Sequence, residues 1–111
     1  MGEWYSFDGG RSIGQTGSEG GRILRDEEHS DMARITLERG GYRPFSITCG
    51  IYGWMVHTRF FADEAEAQNA FEEMKHGLAN ILNIIPLVGE TDDAKERAVS
   101  DAITDFIERF P

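Results

Sequence analysis

The sequence predicts a two-layer α+β fold, an antiparallel β-meander of four to five strands followed by two C-terminal helices packed on one face of the sheet. Three observations lead there. Between residues 22 and 61, runs rich in β-branched and aromatic side chains are separated by short Gly-bearing turns. From residue 63 onward, apolar positions recur at three- and four-residue steps, the period of a helix lying against a core. The connections between strands are too short for parallel crossovers, which need about a dozen residues, so neighbours run antiparallel. At 111 residues the chain suits a single domain over 1–111, with enough length to bury one core. No internal repeat is present, and no linker composition follows residue 21.

Residues 4–7, Trp-Tyr-Ser-Phe, read as a short first strand or as an aromatic plug at one end of the core. Residues 8–21 hold six glycines among fourteen positions, a permissive backbone that packs poorly, and so form a long loop. Gly14, Gly17 and Gly20 recur every third residue, but neither a phosphate-loop motif nor a dinucleotide fingerprint accompanies them. Strand signals then cover residues 22–28, 32–39, 45–49 and 54–61, with turns at 29–31, 40–43 and 50–53.

Alternation sets the expected register. Ala33, Ile35 and Leu37 share odd positions, as do Phe45, Ile47 and Cys49. A hairpin closed by residues 50–53 would pair Cys49 with Trp54, Ile47 with Val56 and Phe45 with Thr58. That register turns Met55, His57, Arg59 and Phe61 to the face opposite the core, beside Arg34, Thr36, Glu38, Ser46 and Thr48. In the hairpin before it, a two-residue Gly40-Gly41 loop would mix the faces, so a loop of odd length or a bulge is required.

Asp63, with Glu66 three residues on, caps a first helix over 63–85 whose stripe is Ala67, Phe71, Met74, Leu78, Ile81, Leu82 and Ile85, ended by Pro86. Thr91 caps a second over 92–109, with Asp92 and Asp93 in its first turn and Arg109 in its last. Its stripe is Ala94, Ala98, Ala102, Ile103, Phe106, Ile107 and Phe110.

Charge narrows the function classes. The net −9 divides unevenly: residues 1–61 carry seven Arg against eight Asp or Glu, and residues 62–111 carry four Lys or Arg against twelve Asp or Glu. An acidic surface repels phosphates and anionic lipid, so neither nucleic acid nor a membrane is expected as a partner, whereas a basic protein would be attracted. No apolar run approaches the roughly 20 residues that span a bilayer. The N-terminal residues carry no secretory pattern, and the single Cys49 has no internal disulfide partner, so a cytoplasmic location is expected.

The chemistry-bearing residues are sparse. The register above lines Thr36, Ser46 and His57 across three strands, but no nucleophile elbow surrounds Ser46, and a solvated sheet face is the simpler account. Residues 26–31 gather four carboxylates and His29 at spacings that match no metal motif, which suits an exposed acidic turn. His29 and His57 would have to meet there for a metal site, and no metal or other cofactor is assigned. Cys49 falls on the core face, where a buried thiol is inert, and His76 falls on a helix surface. Among the aromatics, alternation sends Trp54 and Phe60 inward and Phe61 outward, with Tyr52 at a hairpin tip.

These features favour a small acidic binding or interaction domain without catalytic residues. Its binding surface is expected at Arg34, Glu38, Met55, His57, Arg59 and Phe61, and it is expected to form a homodimer through the open sheet face or its edge. An inhibitor or immunity-type regulator of a basic partner is a specific form of this reading, by analogy of size and charge. The alternative is a small enzyme or ligand-binding protein with a site at His57, Arg59 and Glu38 under the Gly-rich loop.

Overall fold

A computed structural model describes residues 3–30, 32–86 and 92–111. Five strands, β1 (Trp4–Ser6), β2 (Arg22–His29), β3 (Ala33–Arg39), β4 (Phe45–Ile51) and β5 (Met55–Phe61), form one antiparallel sheet in sequence order. Two helices follow, α1 (Glu64–Leu82) and α2 (Asp93–Arg109). The α+β meander-then-helices architecture is therefore the one the sequence predicts, with residues 4–6 serving as a short edge strand. Among the described residues no helix is long and apolar enough to cross a membrane.

The five-residue connection between Arg39 and Phe45 is of odd length, and it places Leu37 opposite Ile47 and Ile35 opposite Cys49. One face of the sheet is thereby apolar: Ala33, Ile35, Leu37, Ile47, Cys49 and Ile51 are all buried, together with Phe71, Met74 and Leu78 of α1.

The last hairpin corrects the expected register. β4 continues to Ile51, so a three-residue turn over residues 52–54 closes it, with Gly53 at φ 82°. Cys49 consequently faces His57, Ile47 faces Arg59 and Phe45 faces Phe61. This moves the pairing by an odd number of residues, and a shift of odd parity exchanges the two faces of a strand. Met55, His57, Arg59 and Phe61 thus stand on the helix side, while Val56, Thr58 and Phe60 stand on the open side. Phe61 is buried and Phe60 is 44% exposed, the reverse of the expected arrangement.

Asp63 caps α1, accepting the Glu66 backbone N–H at 2.8 Å. For α2 the cap is Asp92, which accepts from the Lys95 N–H at 2.8 Å; Thr91, the expected cap, lies outside the described residues. The buried line of α2 runs through Val99, Phe106 and Phe110, with Ala94, Ala98 and Ile107 exposed. It is rotated from the alanine-led stripe because α2 rests on α1 rather than lying flat on the sheet: Phe106 and Phe110 close against Gly77.

Candidate functional site

The open face of the sheet is a lattice of three rows. Tyr5, Glu28, Arg34, Gly50 and Val56 form one, Asp26, Thr36, Thr48 and Thr58 the next, and Ile23, Glu38, Ser46 and Phe60 the third. Leu24 is the extra residue of a bulge in β2, and that bulge brings Asp26 level with Thr36.

The Gly-rich loop folds over one side of this face and is fastened by Glu38. The fully buried Glu38 carboxylate accepts the Gly21 N–H at 3.0 Å through Oε1 and the Glu19 N–H at 3.2 and 3.3 Å through its two oxygens. A Cβ at Gly17 would fall 2.3 Å from the Glu38 Cδ, so only glycine permits this approach. The loop is a cradle of backbone donors, as anion-binding loops are, but here the chain's own carboxylate fills it. Backbone bonds from Gly14 N–H to Ile23 O at 2.8 Å and from Ile23 N–H to Gln15 O at 2.9 Å hold its inner edge on β2.

Between this loop and the β4–β5 hairpin lies a cleft of about 810 Å³. Thr36, Thr48 and Gly50 form its floor, Phe7, Ser12 and Gly17 its loop wall, and Tyr52 and Trp54 its hairpin wall. Gly50, in the row of Arg34 and Val56, lines the floor without a side chain, and any larger residue there would project into the space. Arg34 stands at the edge of the floor with its guanidinium carbon 3.5 Å from the centre of the Phe7 ring. Behind it, Asp26 is buried and accepts from Arg34 Nε at 2.9 Å, from Arg34 Nη2 at 2.7 Å and from the Thr36 hydroxyl at 3.1 Å. Hydrogen bonding to Asp26 raises the Arg34 pKa further above its ordinary value, against the opposing effect of burial. Ser12 Oγ, in the loop wall, is buried without a hydrogen-bond partner among the described residues.

The six residues expected to form a binding surface are distributed over both faces. Arg34 lines the cleft and Glu38 anchors the loop beside it, whereas Met55 borders the cleft at the hairpin while packing against the core on the helix side. On the helix side, His57 Nε2–H donates to the Phe110 carbonyl and Arg59 Nε donates to the Pro111 carbonyl at 3.1 Å. These two side chains fasten the segment after α2, while Phe61 belongs to the core. His57, Arg59 and Glu38 therefore do not converge under the loop, and Thr36 aligns with Thr48 and Thr58 rather than with Ser46 and His57.

Nor do residues 26–30 form an exposed acidic turn. Asp26 and His29 are buried, and Glu27 joins a network in which Arg25 meets Glu27 at 3.0 Å and Glu72 at 2.6 Å while Lys75 meets Glu27 at 2.7 Å. Arg25 holds the Glu72 carboxyl below its ordinary pKa. Asp31 lies outside the described residues. His29 on β2 and His57 on β5 are separated by two intervening strands, and among the described residues no group of three His, Cys, Asp or Glu is placed to hold a metal ion. Cys49 is buried on the core face, and desolvation pushes its thiol up to about 12. His76 is exposed, as expected.

Phe7, Ser12, Asp26 and Gly50 were not legible as site residues. The clearest sequence signal for Gly50 is its place inside an apolar alternation, Phe45, Ile47, Cys49, Ile51, where a missing side chain leaves a gap on the other face. Neither a protein-family model, nor a curated protein, nor a solved structure matches this chain.

Proposed function

We propose that this chain is a binding domain without a catalytic role, and that its ligand site is the cleft between the Gly-rich loop and the β4–β5 hairpin. The observation that carries this reading is the cleft itself, about 810 Å³ on the open sheet face, with Arg34 at its edge. Cavities of this size suit small ligands, and a few placed polar groups among aromatic walls are their usual lining. The fastening of the loop by Glu38 supports the reading, because a site wall has to be held in position to recognise anything.

A second reading, a homodimer through the β5 edge, is favoured by a separate observation. β5 is an outermost strand, and beside its free edge Val56 is 78% exposed and Phe60 44%. Tyr42 meets the Phe60 ring edge-on at 6.4 Å, with Arg43 over both rings. Exposed aromatic and Arg side chains at an unpaired edge are the composition of interaction surfaces. The acidic helical half supports a basic protein as a further partner, as inhibitors and immunity-type regulators engage.

Native mass spectrometry of the purified chain separates these. A monomer carrying a small-molecule adduct supports the cleft, and a bare dimer that dissociates on Val56→Lys supports the edge. A bare monomer counts against both.

A further inference from the structure

We infer that the cleft takes an uncharged, planar ligand bearing a carbonyl or ring-nitrogen acceptor; this rests on the cleft being the binding site. The argument begins with which polar groups remain available. On the floor, the Thr36 hydroxyl is committed to Asp26, and the Thr48 and Thr58 hydroxyls to each other at 3.2 Å. Arg34 is different. A guanidinium has five N–H bonds; Asp26 takes one from Nε and one from Nη2, leaving both on Nη1 and one on Nη2 without an acceptor among the described residues. Its side chain is 36% exposed, so those donors are accessible from the cleft that it lines. The cleft therefore offers hydrogen-bond donors, and it selects for an acceptor.

Charge then decides what kind of acceptor. The Arg34 charge is already offset by Asp26. Glu28, beside Arg34 in the same row, accepts from the Tyr5 hydroxyl at 3.3 Å and the Tyr52 hydroxyl at 2.9 Å, and Asp8 is bridged to Arg11 at 2.7 Å. With the Glu38 carboxylate behind the loop wall, two cations stand against four carboxylates, so a ligand anion meets a net negative charge and gains nothing over a neutral acceptor. A ligand ammonium carries donors only and has no acceptor to offer the Arg34 N–H groups. What both charges disfavour, a neutral carbonyl or ring nitrogen satisfies. Shape comes from the walls. Phe7 backs the Arg34 plane, and Tyr52 and Trp54 line the same cleft, so the apolar surface on offer is aromatic and suits a flat molecule. The Ser12 hydroxyl in the loop wall, without a partner among the described residues, is a second group that a polar ligand would relieve once the wall adjusts around it.

Three probes of one ring size and different charge test this: benzamide, benzoate and benzylammonium, each titrated into the 15N-labelled chain. The amide signals of Gly17, Thr48 and Gly50 and the Arg34 Nε–H signal are followed. Benzamide is expected to shift them saturably, with an affinity at least about tenfold above either charged probe. The shifts are expected to vanish in Gly50→Ala, whose methyl enters the floor, and in Arg34→Lys, which keeps the charge and loses the planar donors. Either variant is read only if its remaining amide spectrum is that of the folded chain, and Gly50→Ala leaves the Arg34–Asp26 pair intact. Benzoate or benzylammonium binding at these residues as tightly as benzamide overturns the ligand class and leaves the cleft as the site. No shift with any of the three, up to their solubility, overturns both.

Discussion

The Gly21 backbone N–H lies 3.0 Å from the Glu38 carboxylate, an internal bond between a loop donor and a buried strand acid that holds the Gly-rich loop on the sheet. Glu38→Ala removes the acceptor and leaves two loop amides unpaired, at an expected loss of about 2–4 kcal/mol. Since Oε1 alone accepts from both Glu19 and Gly21, Glu38→Gln is expected to recover more than half of that loss. Amide hydrogen exchange at Glu19 and Gly21 decides the matter: unchanged protection in Glu38→Ala would mean that the loop is held by something else.

His57 is a fastening residue, and its substitution should be read in stability. His57→Ala releases the Phe110 carbonyl and is expected to lower stability by about 1 kcal/mol. Phe110→Ala opens the core at the end of α2, where Phe110 is 3% exposed, and is expected to remove about 3–5 kcal/mol. Thermal unfolding of both variants tests the pair. A His57→Ala chain with unchanged stability and an altered cleft spectrum would return His57 to the ligand site.

How His57 came to be expected on the other face shows where sequence reasoning stops. β3 and β4 were legible because each has one apolar set at one parity, which only a core face rewards. β5 offers no such set: Met55 and Phe61 lie at one parity, Val56 and Phe60 at the other. Its face is fixed by the length of the preceding turn alone, and one misplaced strand end inverts it. Ile51, continuing the Phe45, Ile47, Cys49 series, carried the missing information. The cleft was less legible still. The Arg34–Asp26 pair depends on the Leu24 bulge, and the loop wall depends on a carboxylate-to-backbone contact that no side-chain pattern encodes.

Gly77 sits in the middle of α1, where alanine would ordinarily stabilise a helix by about 1 kcal/mol. Here the sign is expected to reverse. The added Cβ would lie 2.9 Å from two carbons of the Phe106 ring and 3.3 Å from Phe110, and forcing a core apart costs about 1–3 kcal/mol. Chemical denaturation of Gly77→Ala should show a net loss, which Phe106→Leu in the same chain should partly relieve. A stabilised Gly77→Ala would mean that α2 moves away from α1 at little cost.

Burial of Cys49 gives the fold an alkaline limit. The thiol rises from its ordinary 9.0 to about 12 in the folded chain. Below pH 9 both folded and unfolded thiols are protonated and the group contributes no pH dependence. Between pH 9 and 12 the unfolded chain loses this proton while the folded chain keeps it, so stability falls as pH rises, by at most about 1.4 kcal/mol per unit. Denaturation midpoints of the chain and of Cys49→Ala, measured from pH 8 to 11, should diverge from parallel above pH 9. Parallel curves would place the thiol in contact with solvent, and rapid labelling by a thiol reagent in the native state would say the same.

Asp26 and Arg34 form a pair of unequal burial, and removing either partner should not be equivalent. The Asp26 side chain is wholly buried, whereas that of Arg34 is 36% exposed. Arg34→Met leaves a buried carboxylate with the Thr36 hydroxyl as its remaining donor, and uncompensated buried charge costs about 3–5 kcal/mol. In Asp26→Asn the stranded charge belongs to Arg34, which retains access to water and its contact with Phe7, so the expected loss is smaller, about 1–2 kcal/mol. Thermal unfolding of the two variants tests this: equal losses would mean that Asp26 is satisfied by its neighbours and that the pair contributes geometry to the cleft floor rather than stability.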